Sequence, residues 1–290
     1  MWEEWKDFRI SSSLIQKRVQ RVFASLGWQY AIQHILDEKI PLQELKVAEL
    51  GCGTGTFALC FGLLGAEVTL MDNNPHALNV AKEFYDRCGI TAHYIQADIF
   101  EDLPSELHEQ YDLVTSGGLI EHFSGKNREV SIQQHARLLS ARGKTMIAVP
   151  NRFSPFYRLV RGFRELTGTW SMDVEIPYSY WELKELAKRV GFAQVRILGN
   201  FPLASDVIEY AKGLVSAALD LLPAGVRKSV HGGKTRGQTD NPSNYPLENL
   251  SQMAMQSVEW IQQRGLSNTT GHGIRDVFGA TIFLVGSKSY

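Results

Sequence analysis

Val47-Ala48-Glu49-Leu50-Gly51-Cys52-Gly53-Thr54-Gly55-Thr56 is the stretch on which the reading of this chain turns. Residues 46–50 form a short apolar run of the kind that makes a buried strand. The glycines after it permit a tight turn, and their missing Cβ atoms let a ligand approach the backbone closely. A helix that starts behind such a turn offers unpaired N–H groups to a carboxylate or phosphate. A glycine turn alone is a weak signal, so the spacing has to sharpen it. A dinucleotide fingerprint, G-x-G-x-x-G, needs glycine at position 56, where this chain has Thr56. Its own pattern is G-x-G-x-G, preceded by the acid Glu49.

Outward from this turn, apolar runs at 67–71, 93–95, 112–115, 145–149, 194–198 and 281–285 predict further strands. Several are continuously apolar, as strands covered on both faces are. The segments between them carry helix signals. Asn74-Pro75 starts a helix that Gly89 stops, and Ser179 with Glu182 forms a capping-box pair before a helix that ends at Gly191. Residues 11–36 have apolar side chains at helical spacing and predict one or two helices ahead of the core. Strand-helix alternation predicts an α/β fold: a seven-stranded, mainly parallel, doubly wound sheet, with ligands at the carboxyl ends of the strands. Two stretches interrupt the alternation. Residues 151–177 are rich in aromatics and arginine. Residues 200–279 are far longer than a connection needs, with amphipathic segments at 203–222 and 248–263 and a Gly/Asn/Pro-rich loop at 223–246. The expected organisation is an N-terminal helical cap segment (1–40), a core (41–200 and 279–290) and an inserted helical cap or lid (200–279).

The acids at the strand ends give the glycine turn its meaning. Asp72, followed by Asn73, ends the second predicted strand, and a carboxylate there can accept hydrogen bonds from both hydroxyls of a ribose; alternatively it forms a turn. Asp98-Ile99 follows the third strand, and Ser116-Gly117 the fourth. Together these residues resemble the class I S-adenosylmethionine-dependent methyltransferases, over about residues 45–200 and the final strand. The resemblance implies a Rossmann-like fold. It also implies that Gly51, Cys52, Gly53 and Gly55 wrap the amino-acid part of S-adenosylmethionine, with Glu49 helping to fix it. In the same way Asp72 and Asn73 hold the ribose, Asp98 holds the adenine amino group, Ile99 packs on the ring, and Ser116 and Gly117 line the cleft. For Asp98 a helix N-cap is the alternative. The expected product is S-adenosylhomocysteine.

Methyl transfer asks the protein to hold nucleophile, methyl and sulfur in line, and a base helps when the acceptor must lose a proton. His122 is the candidate base, since histidine titrates near neutral pH, and a structural hydrogen bond is its other reading. Glu121 stands beside it as a second candidate whose character is chiefly structural. Leu119-Ile120-Glu121-His122-Phe123 resembles the corresponding segment of ubiquinone-biosynthesis O-methyltransferases and relatives with small-molecule substrates. Some of those carry a further Glu where this chain has Gly118, so no metal is expected. Asn151, Arg152 and Tyr157, in the Pro-Asn segment after the fifth strand, are candidate acceptor contacts, with Arg158 beside them, and the alternative is a packed loop with solvated arginines. His231, Tyr245 and His272 reach the site if the insertion closes.

Thirty basic against thirty-one acidic residues give a formal net charge of −1, without the basic surplus of a chain that holds nucleic acid in bulk. Cys52, Cys60 and Cys88 make neither a paired framework nor a zinc spacing. The first residues lack the apolar core of a signal peptide, and no run is long enough to span a membrane, so a soluble cytoplasmic protein is expected. The 203–222 helix hints at a lipophilic acceptor, or else packs on the core or at a homodimer contact. The leading expectation is a methyltransferase acting on a small organic acceptor, lipophilic or aromatic. The alternatives are a protein or RNA methyltransferase, a non-catalytic S-adenosylmethionine-binding module and, remotely, an NAD-dependent oxidoreductase. Ser116-Gly117-Gly118-Leu119 lacks the Asn/Asp-Pro-Pro-aromatic pattern of enzymes that methylate base amino groups.

Overall fold

Because successive side chains of a strand point to opposite faces, Val47 and Ala48 enter two different cores. Their strand, β1 (Lys46–Leu50), lies at the middle of the fold, between β2 (Glu67–Asp72) and β4 (Tyr111–Gly117). The computed structural model describes residues 5, 6, 8–168, 170, 174–200, 247–265 and 281–288, and the structural statements here concern those residues. With β3 (His93–Gln96), β5 (Leu139–Pro150), β6 (Arg196–Asn200) and β7 (Thr281–Ser287), the strands form one seven-stranded sheet of order β3-β2-β1-β4-β5-β7-β6. Neighbours from β3 to β5 are parallel, and β7 runs antiparallel to both β5 and β6. The doubly wound, mainly parallel sheet read from the sequence is therefore present. Its winding reverses between β1 and β4, which opens a crevice at their carboxyl ends.

Helices cover both faces. On one lie α1 (Ser12–Ala24), α2 (Leu26–Asp37), α3 (Thr56–Gly62) and α4 (Pro75–Cys88), joined by α8 (Leu250–Arg264), with Ile15, Trp28, Phe61, Phe84 and Val258 among the buried side chains. On the other lie α5 (Asn127–Leu138) and α7 (Tyr180–Val190), whose Ile132, Leu138, Leu183 and Ala187 pack with Val114, Ile147 and Leu284 of the sheet. The sixth helix, α6 (Pro155–Leu166), buries only Val160. No described helix is long and apolar enough to cross a membrane.

Local chemistry explains most of the boundaries. Ser25 divides the N-terminal helical stretch in two: its hydroxyl donates to the Val22 carbonyl at 2.7 Å and accepts the Trp28 N–H at 3.1 Å. Asn74 caps α4, Pro75 opens it, and Gly89 closes it at φ +68°. Ser179 caps α7 by accepting the Glu182 N–H at 3.1 Å, whereas the Glu182 side chain turns to Arg128 and Arg152 instead of completing a capping box.

Two strands differ from expectation. β5 begins at Leu139 rather than 145, because Leu139 and Lys144 still pair with β4, with a register shift between Tyr111 and Leu113. β6 covers Arg196–Asn200 rather than 194–198. Of the N-terminal helices, α2 is built into the helical layer on the sheet. Trp28 is fully buried against Phe61 (ring centroids 4.7 Å apart), and its indole N–H donates to Ser257 of α8 at 3.0 Å. The expected helix at 203–222, the loop at 223–246, and His231, Tyr245 and His272 lie outside the described residues.

Candidate functional site

The glycine turn sits where β1 hands over to α3, and Gly51, Gly53 and Gly55 all have positive φ (+57°, +52° and +61°). The turn also packs tightly from below. A Cβ on Gly55 would lie 2.8 Å from Leu70 Cδ1 and 3.1 Å from Tyr85 Cε2, and one on Gly51 would lie 2.5 Å from Leu119 Cδ1. The Tyr85 hydroxyl donates to the Gly55 carbonyl at 3.0 Å, and the Cys52 N–H donates to the Met71 carbonyl at 3.1 Å. Burial pushes the Cys52 thiol up, which keeps it protonated and unreactive. Gly55→Ala combines backbone strain with a clash, so it should cost about 2–4 kcal/mol in urea unfolding. Gly89→Ala is the control, with φ +68° but open space around it, and should cost about 1–2 kcal/mol. Equal losses would show that the packing beneath the turn is unimportant.

Two carboxylates brace this turn. Glu49 is buried, and its Oε2 accepts the Ala58 N–H at 2.9 Å. Burial raises its pKa to about 7, opposed by the Ala58 bond and assisted by the charge of Asp72. Asp72, at the end of β2, accepts the Gly53 N–H at 3.0 Å and the Asn74 N–H at 2.9 Å on different oxygens. Its pKa is raised by burial, against the pull of these N–H groups. The Asn73 N–H also acts on this carboxylate, whose oxygens keep acceptor capacity for hydroxyl donors. The carbonyl of Asn73 accepts from Gln96 Nε2 at 3.3 Å, tying the turn after β2 to β3.

At the next strand ends, Asp98 Oδ1 accepts the Phe100 N–H at 2.9 Å, a turn-forming bond that leaves its other oxygen available. Ile99 is buried in the α5 side of the core. Phe100 meets Phe123 edge to face, ring centroids 4.5 Å apart, which joins the loops after β3 and β4. Ser116 was expected to line the cleft, but its hydroxyl is buried against α5 and bonded to His135 Nε2 at 2.9 Å. His135 Nδ1 donates to the Ser131 carbonyl at 2.8 Å, and burial lowers its pKa to about 4, so the neutral ring accepts the serine proton. Ser116 therefore offers the cleft only backbone. Gly117 and Gly118 beyond it are exposed, and Gly118 has φ +74°.

His122 and Glu121 lie in one turn of 3-10 helix, Ile120–His122, directly after these glycines. Residues 174–178 are strapped across this turn. Ile176 N–H donates to the Glu121 carbonyl at 2.7 Å, Tyr178 N–H to the Pro150 carbonyl at 3.1 Å, and the Tyr178 hydroxyl to the Ile120 carbonyl at 3.2 Å. His122 Nδ1 is 2.9 Å from the Val174 carbonyl, which can only accept, so Nδ1 carries a proton. Arg128 clamps the strap. It is 6% exposed, lies over the Tyr178 ring at 3.4 Å, donates to the Ile176 carbonyl at 3.0 Å and pairs with Glu182 at 3.0 Å.

The candidate acceptor contacts divide. Asn151 is fully buried, and its Oδ1 accepts the Phe153 N–H at 3.1 Å, so it shapes the turn into α6 instead of presenting a surface. Arg152 is exposed and pairs with Glu182 at 3.3 Å. Tyr157 faces the strap, and its hydroxyl donates to Glu175 Oε1 at 2.9 Å. Three side chains near the site had no signal in the sequence. Trp5 lies against the glycine turn, 3.0 Å from where a Gly53 Cβ would be; Arg18 of α1 donates to the Thr54 hydroxyl at 3.3 Å; and Glu175 is buried beside Glu121. Their contacts cross long chain separations and leave no local pattern.

Residues 47–143 match the family described as Methyltransferase domain. The chain is 32% identical over 192 residues to the ubiquinone biosynthesis O-methyltransferase of Pseudomonas savastanoi pv. phaseolicola, covering 59% of this chain and 78% of that protein. The chain belongs to the class I S-adenosylmethionine-dependent methyltransferases. The protein of the same description from Pseudomonas syringae pv. syringae is likewise 32% identical, with the same coverage. Among solved structures, a putative sarcosine dimethylglycine methyltransferase from Galdieria sulphuraria superposes on 90% of this methyltransferase and 85% of its own chain, with a TM-score of 0.51 and 16% identity, a likeness of fold. The crevice of this methyltransferase suits S-adenosylmethionine on its own geometry. The positive-φ glycines of the turn carry no Cβ at 51, 53 and 55, Asp72 keeps acceptor positions for a diol, and open backbone at Gly117 and Gly118 leads on to His122. Among the described residues no group of three or more His, Cys, Asp or Glu side chains is placed to hold a metal ion.

Proposed function

We propose that this enzyme methylates a hydroxyl oxygen of a small organic acceptor, with His122 as the base. The observation that carries the reading is the Nδ1 bond of His122 to the Val174 carbonyl, which directs the basic nitrogen of the ring elsewhere. Bound S-adenosylmethionine supplies an electrophilic methyl group on a sulfonium. The protein's part is to bind, orient and exclude water. Gly51–Gly55 and Glu49 hold the amino-acid end, Asp72 and Asn73 the ribose, and Asp98 and Ile99 the adenine. Gly117 and Gly118 leave room at the reacting carbon, and His122 Nε2 takes the proton of the acceptor hydroxyl as its oxygen becomes the nucleophile. Holding these partners in line can supply on the order of 7–11 kcal/mol of the barrier. Two curated relatives described as O-methyltransferases support oxygen as the acceptor atom. Residues 1–40 and 200–279 frame the acceptor side in this reading, and 41–200 with 279–290 form the cofactor-binding core.

The test is a screen of phenols, alcohols, amines and carboxylic acids with methyl-labelled cofactor. Label should pass to an oxygen; transfer only to nitrogen or carbon, or to protein or RNA, would replace this reading. A pH dependence follows from Glu49. Its pKa rises from 4.5 unfolded to about 7 folded, so it stabilises the cofactor-free fold below pH 4.5 and that contribution is lost as pH rises through about 7. A cation beside Glu49 favours the ionised form. The affinity for S-adenosylmethionine should therefore rise with pH, by up to about tenfold per unit below pH 7, and level off above it. Calorimetry in buffers from pH 5.5 to 8.5 measures this, and a flat profile would place the cofactor's charge away from Glu49.

A further inference from the structure

Ser116 carries the last side chain of β4, and only the exposed Gly117 and Gly118 separate it from Leu119. The ladder from β4 to β5 continues through Gly117, but the ladder to β1 stops at Thr115, because β1 ends at Leu50 and turns away at Gly51. Beyond Thr115 one edge of β4 thus faces the crevice without a neighbouring strand. The two glycines have no side chains with which to fix its direction by packing. His135 of α5 supplies the anchor. It is fully buried on the side of the sheet that holds Val114, Ile132, Ile147 and Leu183. Its Nε2 accepts the Ser116 hydroxyl at 2.9 Å, and its Nδ1 donates to the Ser131 carbonyl at 2.8 Å, so both ring nitrogens are used. A buried pair of this kind adds little net stability over an apolar pair of the same shape. What it adds is direction, since a fully bonded polar pair specifies one arrangement of the groups it joins. In the order β3-β2-β1-β4 that anchored end lies beside the glycine turn, where a Cβ on Gly51 would meet Leu119. The β3 end, which leads to Asp98, lies on the far side of β1 and β2.

We propose that His135 is a positioning residue: by holding Ser116 it sets the backbone of β4 at 116–117 against the amino-acid end of the cofactor. This rests on the cofactor pose of the proposed function, with the amino-acid part at the ends of β1 and β4 and the adenine at the end of β3. Being fully buried, His135 meets no ligand itself and acts only through Ser116. Loss of the bond leaves the ribose and adenine contacts of Asp72 and Asp98 in place and loosens the grip on the amino-acid part alone. A histidine that served only the fold would move stability and every ligand together.

The test is calorimetry on the full chain with two probes, S-adenosylhomocysteine and 5′-methylthioadenosine, which keeps the nucleoside and the thioether but lacks the amino-acid part. The wild type should bind S-adenosylhomocysteine about tenfold or more tighter than 5′-methylthioadenosine, because charged groups make the stronger hydrogen bonds. Ser116→Ala together with His135→Leu removes the bond without stranding either partner, so the urea midpoint should change little. In that double variant S-adenosylhomocysteine should weaken about five- to tenfold while 5′-methylthioadenosine stays within about twofold. His135→Gln, whose amide oxygen can accept the Ser116 hydroxyl, should stay within about threefold of the wild type for both probes. If the double variant does not fold, Ser116→Ala, which removes one hydroxyl and no bulk, should show the same split at about threefold or more. Equal weakening of the two probes, unchanged affinity for S-adenosylhomocysteine, or a loss in His135→Gln as large as in the double variant overturns the inference and leaves the cofactor pose standing. If the wild type binds 5′-methylthioadenosine as tightly as S-adenosylhomocysteine, the amino-acid part is not held at β1 and β4, and the cofactor pose fails together with the inference.

Discussion

His122→Ala lowers kcat by about 10²–10⁴-fold while leaving the affinity for S-adenosylmethionine within about threefold, the loss expected when a positioned base is removed. The separation of effects follows from the geometry: His122 lies in the turn after β4, beyond the exposed Gly117 and Gly118, and the residues proposed to hold the cofactor are on the turns after β1, β2 and β3. Alanine also removes the bond to Val174 O, and glutamine separates the two roles. Its amide can donate to that carbonyl and hold the 174–178 strap, but it cannot take a proton. His122→Gln should therefore be about as slow as His122→Ala. Single-turnover rates of the wild type and both variants check the assignment. Recovery of the rate in His122→Gln would make His122 a structural pin of the strap.

Asp72→Ala should weaken S-adenosylmethionine and S-adenosylhomocysteine alike, by about a hundredfold or more. Two hydrogen bonds from ribose hydroxyls to a carboxylate are worth roughly 1.5–3 kcal/mol each. The same substitution releases the Gly53 N–H at 3.0 Å and the Asn74 N–H at 2.9 Å, which loosens the glycine turn from the end of β2. Asp72→Asn keeps one acceptor oxygen and should fall between the two, by about tenfold. Equal weakening of the two ligands is the diagnostic part, because the ribose is common to both. Unchanged affinity in calorimetry would reassign Asp72 to turn formation alone.

Much of this arrangement was legible along the chain because it is local. A glycine turn, an acid at a strand end, and a Ser, Asn or Gly at a helix end each determine their own few residues of backbone, and Glu49, Asp72, Asn74 and Gly89 all stand where that logic puts them. The start of β5 was hidden because the residues after Leu139, 140–144, lack an apolar run, and the pairing of Leu139 and Lys144 with β4 is one that hydrophobic patterning does not register. Ser116 could have been read better. Strand alternation puts it on the same face as Val114, toward α5, and its bond to His135 is the consequence. The strap was not legible at all. Arg128 over Tyr178, Ile176 on Glu121, and Glu175 beside Glu121 join residues about fifty positions apart, and nothing in the spacing of either segment anticipates the other.

In the proposed pose the cofactor lies across the carboxyl ends of β1, β2 and β3 with its sulfur turned toward Gly117, Gly118 and His122. A crystal structure of the chain with S-adenosylhomocysteine tests it most directly. The predicted map shows both ribose hydroxyls within about 3.2 Å of the Asp72 carboxylate, the adenine between Asp98 and Ile99, and the sulfur facing the His122 turn. A nucleoside bound elsewhere, or one in this crevice with Asp72 turned away from it, contradicts the account.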